Sequence, residues 1–215
     1  MHLPDGFLSP QLTLPALALA APLWALAARR RLGPASVEAL PVLGTLTALA
    51  FVIQTIMIPV PGGTSTHLVG ATLLALLFDP LTAFVCEGLV LLLQALFFGA
   101  GGLTVLGVNA LALGLCGPLA GWLAFGATRR LLGERPAAFL AAWLSMQAAT
   151  GAVVGVLWLQ HRLDPAYFPM EPAVMAGAML LPSLTVAGLL EGGYTLLALT
   201  LLRKANLRGL ERPPP

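Results

Sequence analysis

The sequence predicts an all-α membrane protein of about seven transmembrane helices, and three observations lead there. Hydrophobic residues make up 58% of the 215-residue chain and charged residues only 9%. Mean hydropathy is +0.90, far from what a water-soluble domain of this length tolerates, so lipid is the expected solvent. Finally, the apolar stretches are cut by short polar or basic breaks at intervals near the roughly 20 residues needed to cross about 30 Å of hydrocarbon. The 1–203 region reads as one transmembrane domain and 204–215 as a cytoplasmic tail.

The first span is expected from Gln11 to Ala28, ending at Arg29-Arg30-Arg31. The second covers Leu40 to Val60. The loop Pro61 to His67, with Gly62 and Gly63, follows, and a short third segment, Leu68 to Phe78, ends at the turn signal Asp79-Pro80. The fourth runs from Leu81 to Phe98 and breaks at Gly99-Ala100-Gly101-Gly102; the fifth runs from Leu103 to Ala127, before Arg129-Arg130. The sixth spans Ala137 to Leu159, and a polar loop, His161 to Glu171, leads to the last, Ala173 to Leu202. That last segment is too long for a straight crossing and contains Pro182 and Gly192-Gly193, so a kink or a short re-entrant start is expected.

Charge decides whether the short third segment crosses. If it does, Arg29, Arg30, Arg31, Arg129, Arg130, Arg135, Arg203, Lys204, Arg208 and Arg212 share one face, and Arg162 alone lies opposite. Basic loops face the cytoplasm, so seven spans place the amino terminus outside and the carboxyl terminus inside. The opening lacks the basic leader of a secretory signal peptide, and Met1 is expected to be the mature terminus.

The opening decapeptide, MHLPDGFLSP, is the candidate metal-binding stretch (residues 1–10). A free Met1 amine and the His2 amide nitrogen close a five-membered ring on a metal; the amide and the His2 Nδ1 close a six-membered one. Three nitrogens in a plane suit Ni(II) and Cu(II) first. The fourth donor must come from His67 or His161, both on the external side in the seven-span arrangement. His67, at the mouth of the short third helix behind a glycine-rich loop that can fold inward, is the natural choice. His161 reads as surface filler.

Polar residues inside the apolar segments are Gln54, Glu87, Gln94, Asn109, Gln147 and Glu191. Burying them costs several kcal/mol unless they are partnered, so they should face the interior. Gln94 and Asn109, near the external ends of their spans, are candidates to orient the metal ligands, as are Thr64, Ser65 and Thr66. Glu87 and Glu191 read equally as cation-relay residues or as structural hydrogen-bonding groups. Small residues at four-residue spacing (Ala21/Ala25, Gly44/Ala48, Gly117/Gly121, Gly151/Gly155) allow close helix packing. Cys86 and Cys116 read as small buried hydrophobes.

Three stretches resemble the CbiM/NikM family, the substrate-specific components of energy-coupling-factor transporters for cobalt and nickel. They are MHLPDGFLSP, the PVPGGTSTHLVG run from Pro59 to Gly70, and QALFFGAGGLTVLGVN from Gln94 to Asn109; Glu191-Gly192 with Thr195 adds to the likeness. The resemblance implies a six-helix substrate-component core with an additional amino-terminal helix. It also implies a site made of the Met1 amine, the His2 amide nitrogen and Nδ1, and His67. Thr66, Ala100 and Ala112 depart from the family's usual glycine, aspartate and asparagine.

The function so implied is uptake of Ni(II) or Co(II) across a bacterial or archaeal plasma membrane, the metal being cargo and not a catalytic cofactor; the cobalt branch would link it to cobalamin biosynthesis. No GxxxxGK[ST] motif occurs, so the ATPase belongs on separate chains. The implied partners are lipid, a transmembrane coupling protein, ATP-binding subunits and a small accessory membrane subunit, with no nucleic acid. The alternative is a metal-dependent membrane enzyme built around Glu87 and Glu191, which the lack of any HExxH run disfavours.

Overall fold

The structure, a computed structural model, describes residues 2–32, 39–60, 64–168 and 170–205, and of Thr64 only the backbone. Met1, the loop residues Pro61 to Gly63, and the tail beyond residue 205 lie outside the described residues.

Seven helical segments carry the described fold: α1 (Pro10–Arg31), α2 (Ala39–Gln54), α3 (Ala71–Leu77), α4 (Pro80–Phe98), α5 (Leu106–Leu132), α6 (Glu134–Leu163) and α7 (Pro172–Ala205). Five of them, α1, α4, α5, α6 and α7, are long and apolar enough to cross a membrane. The 16 residues of α2 reach only ~24 Å at about 1.5 Å per residue. All seven residues of α3 are buried, and irregular backbone precedes it. Such backbone is tolerated at membrane depth only where protein encloses it, and His67, Val69 and Gly70 are indeed buried.

The helix termini follow local chemistry. Pro10 starts α1 and Arg29, Arg30 and Arg31 fill its last turn, where cations oppose the carbonyl end of the helix dipole. Asp79 caps α4, accepting from the amides of Leu81 (2.9 Å) and Thr82 (3.1 Å), and also meets Arg31 Nε at 3.3 Å. Gly99, at φ 61°, ends α4 in the left-handed conformation that glycine adopts freely. Arg203 pairs with Glu134 across the ends of α7 and α6.

The second span is shorter than the sequence suggests. It stops at Gln54, and Ile58–Val60 (β1) instead pairs antiparallel with Thr64–Thr66 (β2), Ile58 opposite Thr66 and Val60 opposite Thr64. Hydropathy cannot separate a short apolar strand from the end of an apolar helix. Here Pro59 removes a helical donor and the β-branched Ile58, Val60, Thr64 and Thr66 suit a ladder. The sixth span is longer than expected: α6 runs on through Gln160 to Leu163 and takes in His161, which the sequence places in a loop. Hydropathy detects the apolar part of a helix, not its polar end.

The last segment is one helical run, Pro172–Ala205, with a π-type turn at Ser183–Ala187, immediately after Pro182. Backbone carbonyls freed around a proline need other donors. Gln147 supplies one to Ser183 O (2.8 Å), and Trp143 Nε1 supplies one to Leu184 O (3.0 Å). A second π-type turn, Ala110–Cys116, interrupts α5. Cys86 is buried, but Cys116 is exposed on the outside of that turn, so only Cys86 is the buried hydrophobe expected.

Of the small-residue pairs, Gly117 and Gly121 let α5 close on α6. A Cβ at Gly121 would lie 2.9 Å from Ala141 O, and one at Gly117 3.0 Å from Ala149 Cβ. Gly44, Gly151 and Gly155 have nothing within 4 Å of that position and face outward. Helix α1 packs against α5 at Gly107, where a Cβ would meet the backbone of Leu17 at 2.5 Å. It packs against α4 through Trp24, whose Nε1 donates to Val85 O at 3.1 Å.

Candidate metal centre

The residues before α1 form a strap laid into one end of the bundle. Leu3 and Leu8 are 3% and 2% exposed and pack with Val105, Val108, Val153, Leu157 and Phe168. That burial stabilises the strap by several kcal/mol, at ~1.5–3 kcal/mol per large aliphatic side chain. Polar contacts then fix its register. The Leu3 amide donates to Asn109 Oδ1 (2.8 Å) and Asn109 Nδ2 donates back to Leu3 O (2.9 Å). Asp5 accepts from the amides of Leu103 (3.2 Å) and Thr104 (2.9 Å) and from the Thr104 hydroxyl. A Cβ on Gly102 would fall on the Asp5 carboxyl and backbone, which is why glycine stands there. Ser9 N donates to Gln160 Oε1 at 2.8 Å.

His2 is thereby delivered beside His67. The two imidazoles lie 5.0 Å apart, centroid to centroid, with planes inclined at 41°. Gly101 closes over His2, its Cβ position only 3.3 Å from His2 Nδ1 and 3.5 Å from Asn109 Nδ2. Gln94 faces His2 from α4, yet neither His2 Nε2 nor Gln94 Oε1 has a hydrogen bond of ordinary geometry. Buried polar atoms left this way are costly.

His67 is 1% exposed. Its Nδ1 lies 2.9 Å from Leu68 O; with the proton on Nδ1 donated to that carbonyl, Nε2 is the nitrogen that carries the lone pair. This is the arrangement a ligating imidazole needs. Burial pushes the His2 pKa down to about 4, and burial together with the neighbouring His2 pushes that of His67 well below its usual value. Both rings are therefore neutral at pH 7, the protonation state that binds metal.

The other expected residues fall as follows. Asn109 positions the strap at Leu3, one residue from His2. Thr66 is buried with its hydroxyl unpartnered. Ser65 Oγ lies 3.6 Å from Met57 Sδ, while the Thr64 side chain and the Met1 amine are outside the described residues. The carbonyl that meets the His67 ring belongs to Leu68, not to the Thr-Ser-Thr run. His161 stays apart, its Nδ1 3.1 Å from Phe168 O. Among the described residues no three His, Cys, Asp or Glu side chains cluster so as to hold a metal ion; the fold brings two imidazoles together. Asp5 and Gln160 were not singled out in the sequence, although the Pro4-Asp5-Gly6 punctuation marks a turn that one of them anchors.

Residues 2–208 match the family model of the cobalt uptake substrate-specific transmembrane region, CbiM. The chain belongs to this family. It is 31% identical to the fused nickel transport protein NikMN of Rhodobacter capsulatus, over 96% of this chain and 62% of the relative. It is 34% identical to the cobalt transport protein CbiM of Geobacter sulfurreducens, over 95% and 60%. The chain thus spans about three-fifths of the length of these two relatives. A solved structure of a truncated transition metal transporter superposes with a TM-score of 0.89 at 33% identity, covering 95% of this chain and 99% of that one. The expected membership and the all-α membrane fold are both borne out.

The strap gives one direct test of how register reaches the site. In Asn109→Leu the amide pair to Leu3 is gone and two backbone groups are left buried without partners, at about 1–3 kcal/mol each. The variant is expected to release the strap, seen as faster proteolysis near residues 3–9 and weaker metal retention, with the helical circular dichroism unchanged.

Proposed function

We propose that this chain is the metal-binding membrane component of an energy-coupling-factor transporter that takes up Ni(II) or Co(II). The metal is held by the Met1 amine, the His2 amide nitrogen and Nδ1, and His67 Nε2. The observation that carries the reading is the pair of imidazoles 5.0 Å apart, one half-buried at the end of a strap in fixed register and the other fully buried with its Nδ1 held on the Leu68 carbonyl. Four nitrogens near one plane favour Ni(II), with Co(II) admitted by the same donors. Family membership and the cobalt and nickel names of the relatives support the cargo.

Energy comes from outside the chain, through separate ATP-binding subunits and a transmembrane coupling protein, with a small accessory membrane subunit completing the assembly. The strap lies at one end of the bundle. The ion pairs Arg31–Asp79 and Arg203–Glu134 join the opposite ends of α1, α4, α6 and α7. With the basic end cytoplasmic, the site opens outward, the amino terminus is external and the carboxyl terminus is internal. An enzyme centred on Glu87 and Glu191 draws no support. Both Glu87 oxygens accept from Gln54, and both Glu191 oxygens accept from backbone amides.

Metal content of the purified protein tests the reading. About one Ni or Co per chain is expected, with a planar-type d–d absorption for Ni and loss of the metal on acidification to about pH 4, because every donor binds deprotonated. A protein that binds neither ion, or keeps it at that pH, overturns the ligand set.

A further inference from the structure

The segment that follows His67 is gripped from two sides by side chains on two other elements, one of them braced by a third. From α7, Glu191 accepts the Val69 amide on Oε2 and the Gly70 amide on Oε1, each at 2.8 Å. From α2, Gln54 Nε2 donates to Val69 O at 2.8 Å. The same nitrogen meets Glu87 of α4 at 3.0 and 2.9 Å, which fixes the orientation of the amide. Glu191, Gln54 and Glu87 are 1%, 1% and 0% exposed. Gly70 is at φ 77°, and a Cβ there would lie 3.1 Å from Ile53 Cδ1, so the backbone can take this path only with glycine.

A buried carboxylate is expensive unless hydrogen bonds compensate it, and a local Ser or Asp would cap the start of α3 at far less cost. What the distant carboxylate achieves instead is to hold a two-residue stretch of backbone, immediately beyond His67-Leu68, against α7, while Gln54 holds it against α2. The Leu68 carbonyl that orients the His67 ring sits in the peptide linked to the Val69 amide that Glu191 accepts. Displacing that amide turns the carbonyl and with it the imidazole.

We propose that Glu191 is a positioning residue for His67, with Gln54 braced by Glu87 as the opposing jaw, so that metal affinity depends on where α7 stands relative to α2 and α4. The proposal rests on the reading of the metal centre given above. It also supplies a route by which movement of α7 loosens the metal without touching a ligand.

The test is Ni(II) titration of the full chain with its native amino terminus, followed by visible absorption and metal content, in wild type, His67→Ala, Glu191→Gln and Gln54→Leu. Glu191→Gln keeps the shape but presents an NH2 to one of the two amides. It is expected to weaken Ni(II) binding by about 10–100-fold, the range for residues that orient a ligand, and to shift the d–d band, while thermal unfolding of the metal-free protein stays close to wild type. Gln54→Leu should act in the same direction, and decides the matter should Glu191→Gln fail to fold. Wild-type affinity and band in the folded variants, with binding lost in His67→Ala, overturn this proposal alone. Equal binding by wild type and His67→Ala overturns the reading of the centre, and this proposal with it.

Discussion

Adding one residue ahead of Met1 is expected to lower Ni(II) or Co(II) affinity by more than about 100-fold, beyond the loss of a supporting residue. The extension turns the Met1 amine into an amide. In a loose tail the strap could shift by one residue and make room for the new amine, two deprotonated amides and His2 Nδ1 as a four-nitrogen chelate of their own, without His67. This strap has no such freedom. Asn109 holds both backbone groups of Leu3, Asp5 is seated on Gly102 and Thr104, and Gln160 holds Ser9. Sliding by one residue would break all three and withdraw Leu3 and Leu8 from their apolar site. The bundle itself should be untouched, because α1 begins only at Pro10. Unfolding of the metal-free native and extended proteins should therefore coincide while their metal contents diverge. Equal binding by the two forms would show that the opening motif is a structural anchor.

The sequence made the helices legible because hydropathy and charge report burial in lipid; the short third segment is a helix of seven buried residues, Ala71–Leu77. It pointed to His2 and His67, whose rings the fold brings within 5.0 Å of each other, because a chelate at the amino terminus is a matter of local order along the chain. Three things were hidden. The β1–β2 hairpin shares the apolar composition of a helix end, so only Pro59 and the β-branched residues hinted at it. Gln160 appears polar and terminal, and nothing local says that its amide meets Ser9 across 151 positions. Glu191 and Glu87 were recognised as interior, but whether a buried carboxylate holds a cation or a backbone depends on which amide faces it. For Glu191 the partner is 122 residues away. Side-chain identity predicts that such groups need partners; the fold alone supplies them.

His67→Ala is the second large effect expected, with Ni(II) retention falling by at least as much as for a supporting residue, about 100-fold or more. It removes the donor that comes from outside the amino-terminal chelate. A tridentate site remains, and the fourth in-plane position passes to water or buffer. The comparison that gives this meaning is His161→Ala. Both histidines were assigned to the same side of the membrane, and in both Nδ1 lies against a carbonyl, Leu68 O for His67 and Phe168 O for His161. They differ in where the rest of the ring sits. His67 is buried against His2, whereas His161 is partly exposed in the last turn of α6. His161→Ala should therefore bind metal like the wild type. A matched loss in the two variants would mean that histidine removal acts through general destabilisation. Loss confined to His67→Ala would assign the fourth nitrogen to the one imidazole that the glycine-bounded turn and the Glu191 grip bring to the strap.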